Sequence, residues 1–188
     1  VNGLLFSALR WRNTAVDGPD DKIICLHGWL DNAASFMAMA PLLNAGEVVA
    51  IDLAGHGRSS HRSPDASYNV WEDLEDILAI AELIGWQQFH LIGHSRGGTI
   101  AVQLAAVMPE VVEKLVLLDA MFFHHKTVSY VEQMRQYILD RKRYTARTPL
   151  LLPDTKTALE QRLKVTDLSE DEALALVRRN LKPMSGGG

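Results

Sequence analysis

Gly93-His94-Ser95-Arg96-Gly97 has the residue types and spacing for nucleophilic attack by a serine hydroxyl. A serine on a strained turn between a strand and a helix needs neighbours without Cβ atoms, because the two backbones approach closely there. Gly93 and Gly97 occupy those places. The first amides of the following helix, led by that of Arg96, then point at developing negative charge, which is what acyl transfer through a tetrahedral intermediate requires.

The flanking sequence supplies the strand and the helix. Phe89-His90-Leu91-Ile92 is an apolar run of strand length, and Ile100, Leu104, Val107 and Met108 repeat at helical spacing behind the turn. Upstream, Leu4 to Trp11 reads as a strand and Ile23 to Leu26 as a second, fully apolar and so central in a parallel sheet covered on both faces. Asn32 is placed to cap a helix carrying Phe36, Met39, Ala40 and Leu43. Val48 to Ile51 is a third strand, followed by a glycine-rich loop, Asp52 to Ser60, in which Asp52 and Arg58 have a structural role beside the pocket. Asn69 with Glu72 caps a helix from Val70 to Ile84, ended by Gly85. Leu115 to Leu118 is a further strand leading to Asp119.

Strands alternating with helices imply an open, mostly parallel sheet whose ligand sites lie beyond the carboxyl ends of the strands. His27, Asp52, Ser95 and Asp119 all fall at such ends. After Ala120 the alternation stops. Thr127 to Lys142 carries helical spacing, Pro149 and Pro153 break the chain, and Ser169 with Glu172 caps a last helix with Arg178, Arg179 and Lys182 near its end. The expected organisation is a core over residues 1–120, a helical cap over 121–184 and a flexible tail over 185–188.

The totals exclude several classes. A formal charge of −4 over 188 residues with scattered basic residues argues against a nucleic-acid partner, and no apolar stretch is long enough to span a bilayer. Cys25 is the only cysteine and reads as a buried strand residue, which suits a reducing compartment; a cytoplasmic location is expected. Nothing in the pattern calls for a cofactor or a metal.

Three motifs at successive strand ends carry a resemblance. His27-Gly28-Trp29-Leu30-Asp31-Asn32, Asp52-Leu53-Ala54-Gly55-His56-Gly57-Arg58-Ser59 and Gly93-His94-Ser95-Arg96-Gly97-Gly98 together resemble the α/β-hydrolase superfamily, and within it the serine hydrolase-like branch. The resemblance implies a three-layer α/β-hydrolase fold with a helical cap. It implies Ser95 as nucleophile, the amides of Trp29 and Arg96 as the oxyanion hole, and His27, Gly28 and His94 lining the site. The substrate it implies is a small molecule with a carboxylic ester or thioester bond. Haloalkane or epoxide chemistry fits less well, because those members place Asp where this chain has Ser95.

The base is the departure from that pattern. A serine hydroxyl needs an imidazole within hydrogen-bond reach and a carboxylate to orient it, and in this fold the histidine follows the last strand. Here only His124 and His125 follow the elbow, and both fit a surface or cap-lining role; His94 adjoins Ser95, where neighbouring side chains at the turn point apart, and His27, His56, His61 and His90 precede the elbow. Asp119 is the candidate acid, the alternative being an Asp that caps the strand end. The expectation is therefore the amino-terminal portion of a serine hydrolase, with the carboxyl-terminal part of the core and the catalytic histidine missing from this chain. The alternative is a non-catalytic relic or small-molecule binding module. A sheet ending at this point leaves an apolar edge open to self-association. An apolar face of Met121, Phe122, Phe123, Val131, Met134 and Ile138 fits either an apolar substrate group or a packing seam.

Overall fold

The computed structural model describes residues 1–13, 20–120, 129–145 and 151–182. Five strands form one sheet: β1 (Ala8–Arg12), β2 (Lys22–Leu26), β3 (Glu47–Ile51), β4 (Phe89–His94) and β5 (Val112–Leu118). Their spatial order is β1-β3-β2-β4-β5, with β1 antiparallel to β3 and every other pair parallel.

Alternation along the central strands divides their side chains between two cores. Ile24, Leu26, Val49, Ile51 and Leu91 face α1 (Val70–Leu83) and α2 (Arg96–Val107), meeting Ile77, Ile80, Ile100 and Leu104. Cys25, Val48, Ala50 and Ile92 point the other way, onto Ala33, Phe36 and Ala40. A sheet covered on both faces explains why β2 to β4 are mainly apolar and do not alternate with polar residues.

Residues 33–43 differ from the expected helix. They form two short 3-10 helices, Ala33–Phe36 and Ala40–Leu42, the first capped by the Asn32 side chain. Pro41 has no N–H to continue a helix and its ring would collide with the carbonyl of Met37, so one continuous helix is broken there. The first strand is also shorter than expected. Leu5 and Ser7 hydrogen-bond Ser60 and Ser59 instead, and the Ser7 carbonyl accepts from Asp52 N–H at 2.9 Å, so this stretch fastens the glycine-rich loop.

Three more helices follow: α3 (Tyr130–Thr145), α4 (Thr155–Leu163) and α5 (Glu170–Asn180). The sequence pattern does not predict α4. Asp154 caps it, accepting from Thr157 N–H at 2.7 Å, so the break at Pro153 marks a helix start. The expected capping box of Ser169 and Glu172 opens α5. α5 packs against the first 3-10 helix and against α4. On α3, Val131, Met134 and Ile138 are exposed. Met121, Phe122, Phe123, His124, His125 and the 185–188 tail lie outside the described residues.

Candidate active site

Register places the site. Leu26 pairs with both Ile51 and Gly93, while Gly93 and His94 pair with Leu117 and Leu118. The residues that follow these strands, His27, Asp52, Ser95 and Asp119, are thereby brought to one edge of the sheet.

Ser95 stands between β4 and α2 with φ 49° and ψ −114°, a left-handed φ that costs a non-glycine residue energy. It is exposed. Its N–H donates to the Leu118 carbonyl at 3.2 Å and its carbonyl accepts from Thr99 N–H at 3.1 Å, which ties the corner to β5 and to the first turn of α2. The neighbouring glycines are steric necessities. A Cβ on Gly93 would sit 2.5 Å from the Gly97 carbonyl oxygen, and one on Gly97 would sit 2.1 Å from that of Leu26. Helix and sheet backbones are in direct contact under the serine.

The loop after β2 faces this corner. Asp31 N–H closes a turn onto the Gly28 carbonyl at 3.2 Å, and Leu30 takes a φ of 62°. The backbone hydrogen bonds of the loop and corner use neither the Trp29 N–H nor the Arg96 N–H; the latter, at the first position of α2, has no partner inside the helix. The Trp29 indole is 56% exposed, edge-on to the His56 ring at 5.3 Å, with the Arg96 guanidinium carbon 5.5 Å from its centroid. Arg96 also reaches Asp73 of α1, Nη2 to Oδ2 at 2.5 Å.

The histidines have divided roles. His27 is fully buried, its Nε2 accepting from Leu53 N–H at 3.0 Å and its Nδ1 lying 2.7 Å from the Gly28 carbonyl. With an acceptor at one nitrogen and a donor at the other, the ring is neutral, and burial holds its pKa down at about 4. It joins two loops and has no free nitrogen for the site. His56 is likewise lowered by burial and lies 3.0 Å from the Ala54 carbonyl through Nδ1. His94 packs against Gly28, where an added Cβ would come within 2.9 Å of its Nδ1. It lines a cavity of about 570 Å³ together with Phe36, Met39, Leu118 and Leu176. Arg162 of α4 pairs with Asp31 at the cavity wall. Val131, Met134 and Ile138 line a separate depression on α3 and take no part in it.

Among the described residues no histidine hydrogen-bonds Ser95 or Asp119. Asp119 is exposed, has a φ of 44°, and follows the residue whose carbonyl holds Ser95 N–H. Cys25 is buried, its thiol pushed up to about 12 by desolvation. The described residues hold no group of three or more His, Cys, Asp or Glu side chains that could bind a metal ion, and no helix among them is long and apolar enough to cross a membrane.

Asp52 organises the loops around the site, and its main partner, Arg179, lies far away in sequence. Its carboxylate accepts from Ala33 N–H at 2.8 Å, Arg58 N–H at 2.9 Å and the Arg179 guanidinium of α5. Asn32 and Asn180 make a second link, the Asn32 amide donating to Asn180 Oδ1 and to the Leu176 carbonyl, both at 2.9 Å. One signal for Arg179 was present: it falls three residues after Leu176 and six after Ala173, in register with buried positions of the helix.

The sequence model of the family described as alpha/beta hydrolase fold matches residues 22–181. A serine hydrolase-like protein of Danio rerio is 37% identical over 88% of this chain and 52% of its own length. Serine hydrolase-like protein 2 of Homo sapiens is 32% identical over 92% and 56%. The chain thus spans about half the length of these curated relatives. A hypothetical protein of Pseudomonas aeruginosa PAO1 superposes with a TM-score of 0.82 at 38% identity, covering 97% of this chain and 64% of that one. The thioesterase domain from the curacin biosynthetic pathway gives 0.78 at 29%, covering 100% and 67%. With its strand order, its strained serine corner and these relatives, the chain belongs to the α/β-hydrolase family, in the serine hydrolase-like branch.

Proposed function

We propose that the protein containing this chain hydrolyses a carboxylic ester or thioester through Ser95. The observation that carries this reading is the Ser95 corner, an exposed serine at φ 49° followed by the Arg96 N–H, with the Trp29 N–H on the loop that Arg96 contacts, neither N–H used in a backbone hydrogen bond. The Ser95 oxygen attacks the substrate carbonyl as its proton passes to an imidazole. The carbonyl oxygen becomes an oxyanion held by the two amides, and the alcohol or thiol departs with the proton. Water then repeats the sequence on the acyl-enzyme and restores the serine. Asp119 is the candidate for the carboxylate that orients the imidazole.

The greater length of the curated relatives supports an imidazole supplied from outside residues 1–188. In this reading α4 and α5 act as the cap, and the apolar cavity beside His94 receives an acyl or alcohol group. The absence of a Ser95–histidine hydrogen bond among the described residues favours, for the 188-residue chain alone, a second reading as a binding module.

A fluorophosphonate probe tests the proposal. It is expected to label the full-length gene product and to fail on the Ser95→Ala variant. Equal labelling of both removes Ser95 as nucleophile. Labelling of the full-length product but not of residues 1–188 assigns the base to sequence beyond the chain.

A further inference from the structure

The Arg96 side chain joins features that the acyl-transfer reading leaves unrelated. Its guanidinium carbon lies 5.5 Å from the centroid of the Trp29 indole, within the range where a cation is drawn to a ring face. The guanidinium is also fixed through Nη2 by Asp73, whose carboxylate is buried in α1 and lies 3.7 Å from Arg62. Asp73 is thus a rigid anchor, and Arg96 transmits its position to the indole. His56 also meets that ring, edge-on at 5.3 Å.

The Trp29 N–H belongs to the peptide whose carbonyl, that of Gly28, accepts from Asp31 N–H at 3.2 Å and lies 2.7 Å from His27 Nδ1, so the Gly28 side of that peptide plane is held. On the Trp29 side the ring is largely in solvent and Leu30 takes a left-handed φ of 62°, its carbonyl accepting from Asn180 Nδ2 at 3.3 Å. The contact of the indole with Arg96 is what restrains the Trp29 side chain itself. Oxyanion stabilisation depends on donors already aimed when charge develops.

We infer that Arg96 is a positioning residue for the oxyanion site: its backbone N–H is one donor, and its side chain, braced on Asp73, holds the Trp29 indole and so aims the other. The inference rests on the acyl-transfer reading above and adds to it a coupling between the two donors. Substitution at 96 leaves the backbone N–H in place, so any change in turnover reports what the side chain does to Trp29.

The test compares aromatic with aliphatic replacements in the full-length gene product, with p-nitrophenyl butyrate as reporter ester. Trp29→Leu leaves the Arg96–Asp73 ion pair intact. It is expected to lower kcat by about tenfold, short of the about 10²–10³ that follows when a donor is lost outright. Trp29→Phe keeps a ring under the guanidinium and retains most of kcat. Arg96→Met lowers kcat to a similar degree as Trp29→Leu with KM within about twofold, and the double variant is no worse than either single one, as expected of two residues in one contact. Should Arg96→Met fail to fold, the comparison of leucine with phenylalanine at position 29 still decides. Equal kcat for those two variants, or effects at 29 and 96 that multiply, overturns the inference. Fluorophosphonate labelling separates the levels: an unlabelled unsubstituted protein removes the hydrolase reading and this inference with it, whereas labelling with unchanged kcat in the variants removes this inference alone.

Discussion

Arg179 Nε lies 2.8 Å from Oδ1 and 2.9 Å from Oδ2 of Asp52, joining the last helix to the carboxyl end of β3 across 127 positions of sequence. Both side chains are buried, and Arg179 Nη2 continues to Ser7 Oγ at 3.0 Å. Asp52 also holds two backbone N–H groups, so the pair is one member of a satisfied network. Removing one partner leaves a buried charge with nothing opposite, at a typical cost of about 3–5 kcal/mol. Arg179→Met is expected to lower the unfolding free energy obtained from urea denaturation by that much. The Asp52→Asn/Arg179→Met double variant should lose clearly less than the sum of the single ones. Additive losses would show that the two side chains act separately.

His27 makes stability depend on pH. Its pKa is near 4 in the folded protein, chiefly through burial, and about 6.5 when the chain is unfolded. The unfolded chain therefore binds the proton first, so the stabilisation is fully present above about pH 6.5 and declines as pH falls through 4. At about 1.4 kcal/mol per pKa unit the total is on the order of 3 kcal/mol, and His56, also lowered by burial, adds in the same direction. Chemical denaturation between pH 7.5 and 4 should show this decline, and His27→Asn should flatten it while lowering stability at pH 7.5. An unchanged slope in the variant would remove His27 as the source.

The legible parts of the fold were those whose signals are local. β2, β3 and β4 are short apolar runs with turn residues behind them, and Gly93, Ser95 and Gly97 mark the corner because nothing larger fits where α2 crosses the sheet. Longer-range features left little trace. Arg179 looked like a charge favouring a helix end, because its partner is far away in sequence. α4 was concealed because only Ala158 and Leu159 of its nine residues are buried, too few to make a periodic stripe. The helix expected around Phe36 had the right periodicity, and Pro41 overrode it.

Two glycine substitutions separate close approach from backbone strain. Gly97→Ala places a Cβ 2.1 Å from the Leu26 carbonyl oxygen and 2.8 Å from that of His27, neither of which can give way without shifting β2. It is expected to cost more than about 3 kcal/mol or to abolish soluble expression. Gly85→Ala meets open space, but its φ of +79° is strained for any side chain, so a loss of about 1–2 kcal/mol is expected. Thermal melts of the two variants measure the difference, and similar losses would mean that the elbow backbone is less tightly packed than these distances require.

The open side of β5 carries the last prediction. Among the described residues β5 pairs only with β4, and Val116, which faces away from the core that Leu115 joins, is 47% exposed. Unpaired N–H and C=O groups along a partly apolar strand are a template for another strand. We propose that residues 1–188 on their own associate through this edge. Sedimentation velocity is expected to show species above the 20.9 kDa monomer, increasing with concentration. Val116→Lys places a charge on the edge strand and should shift the distribution towards monomer. A monomer at every concentration in the unsubstituted chain, or an unaltered distribution in the variant, would mean that this edge is not where copies meet.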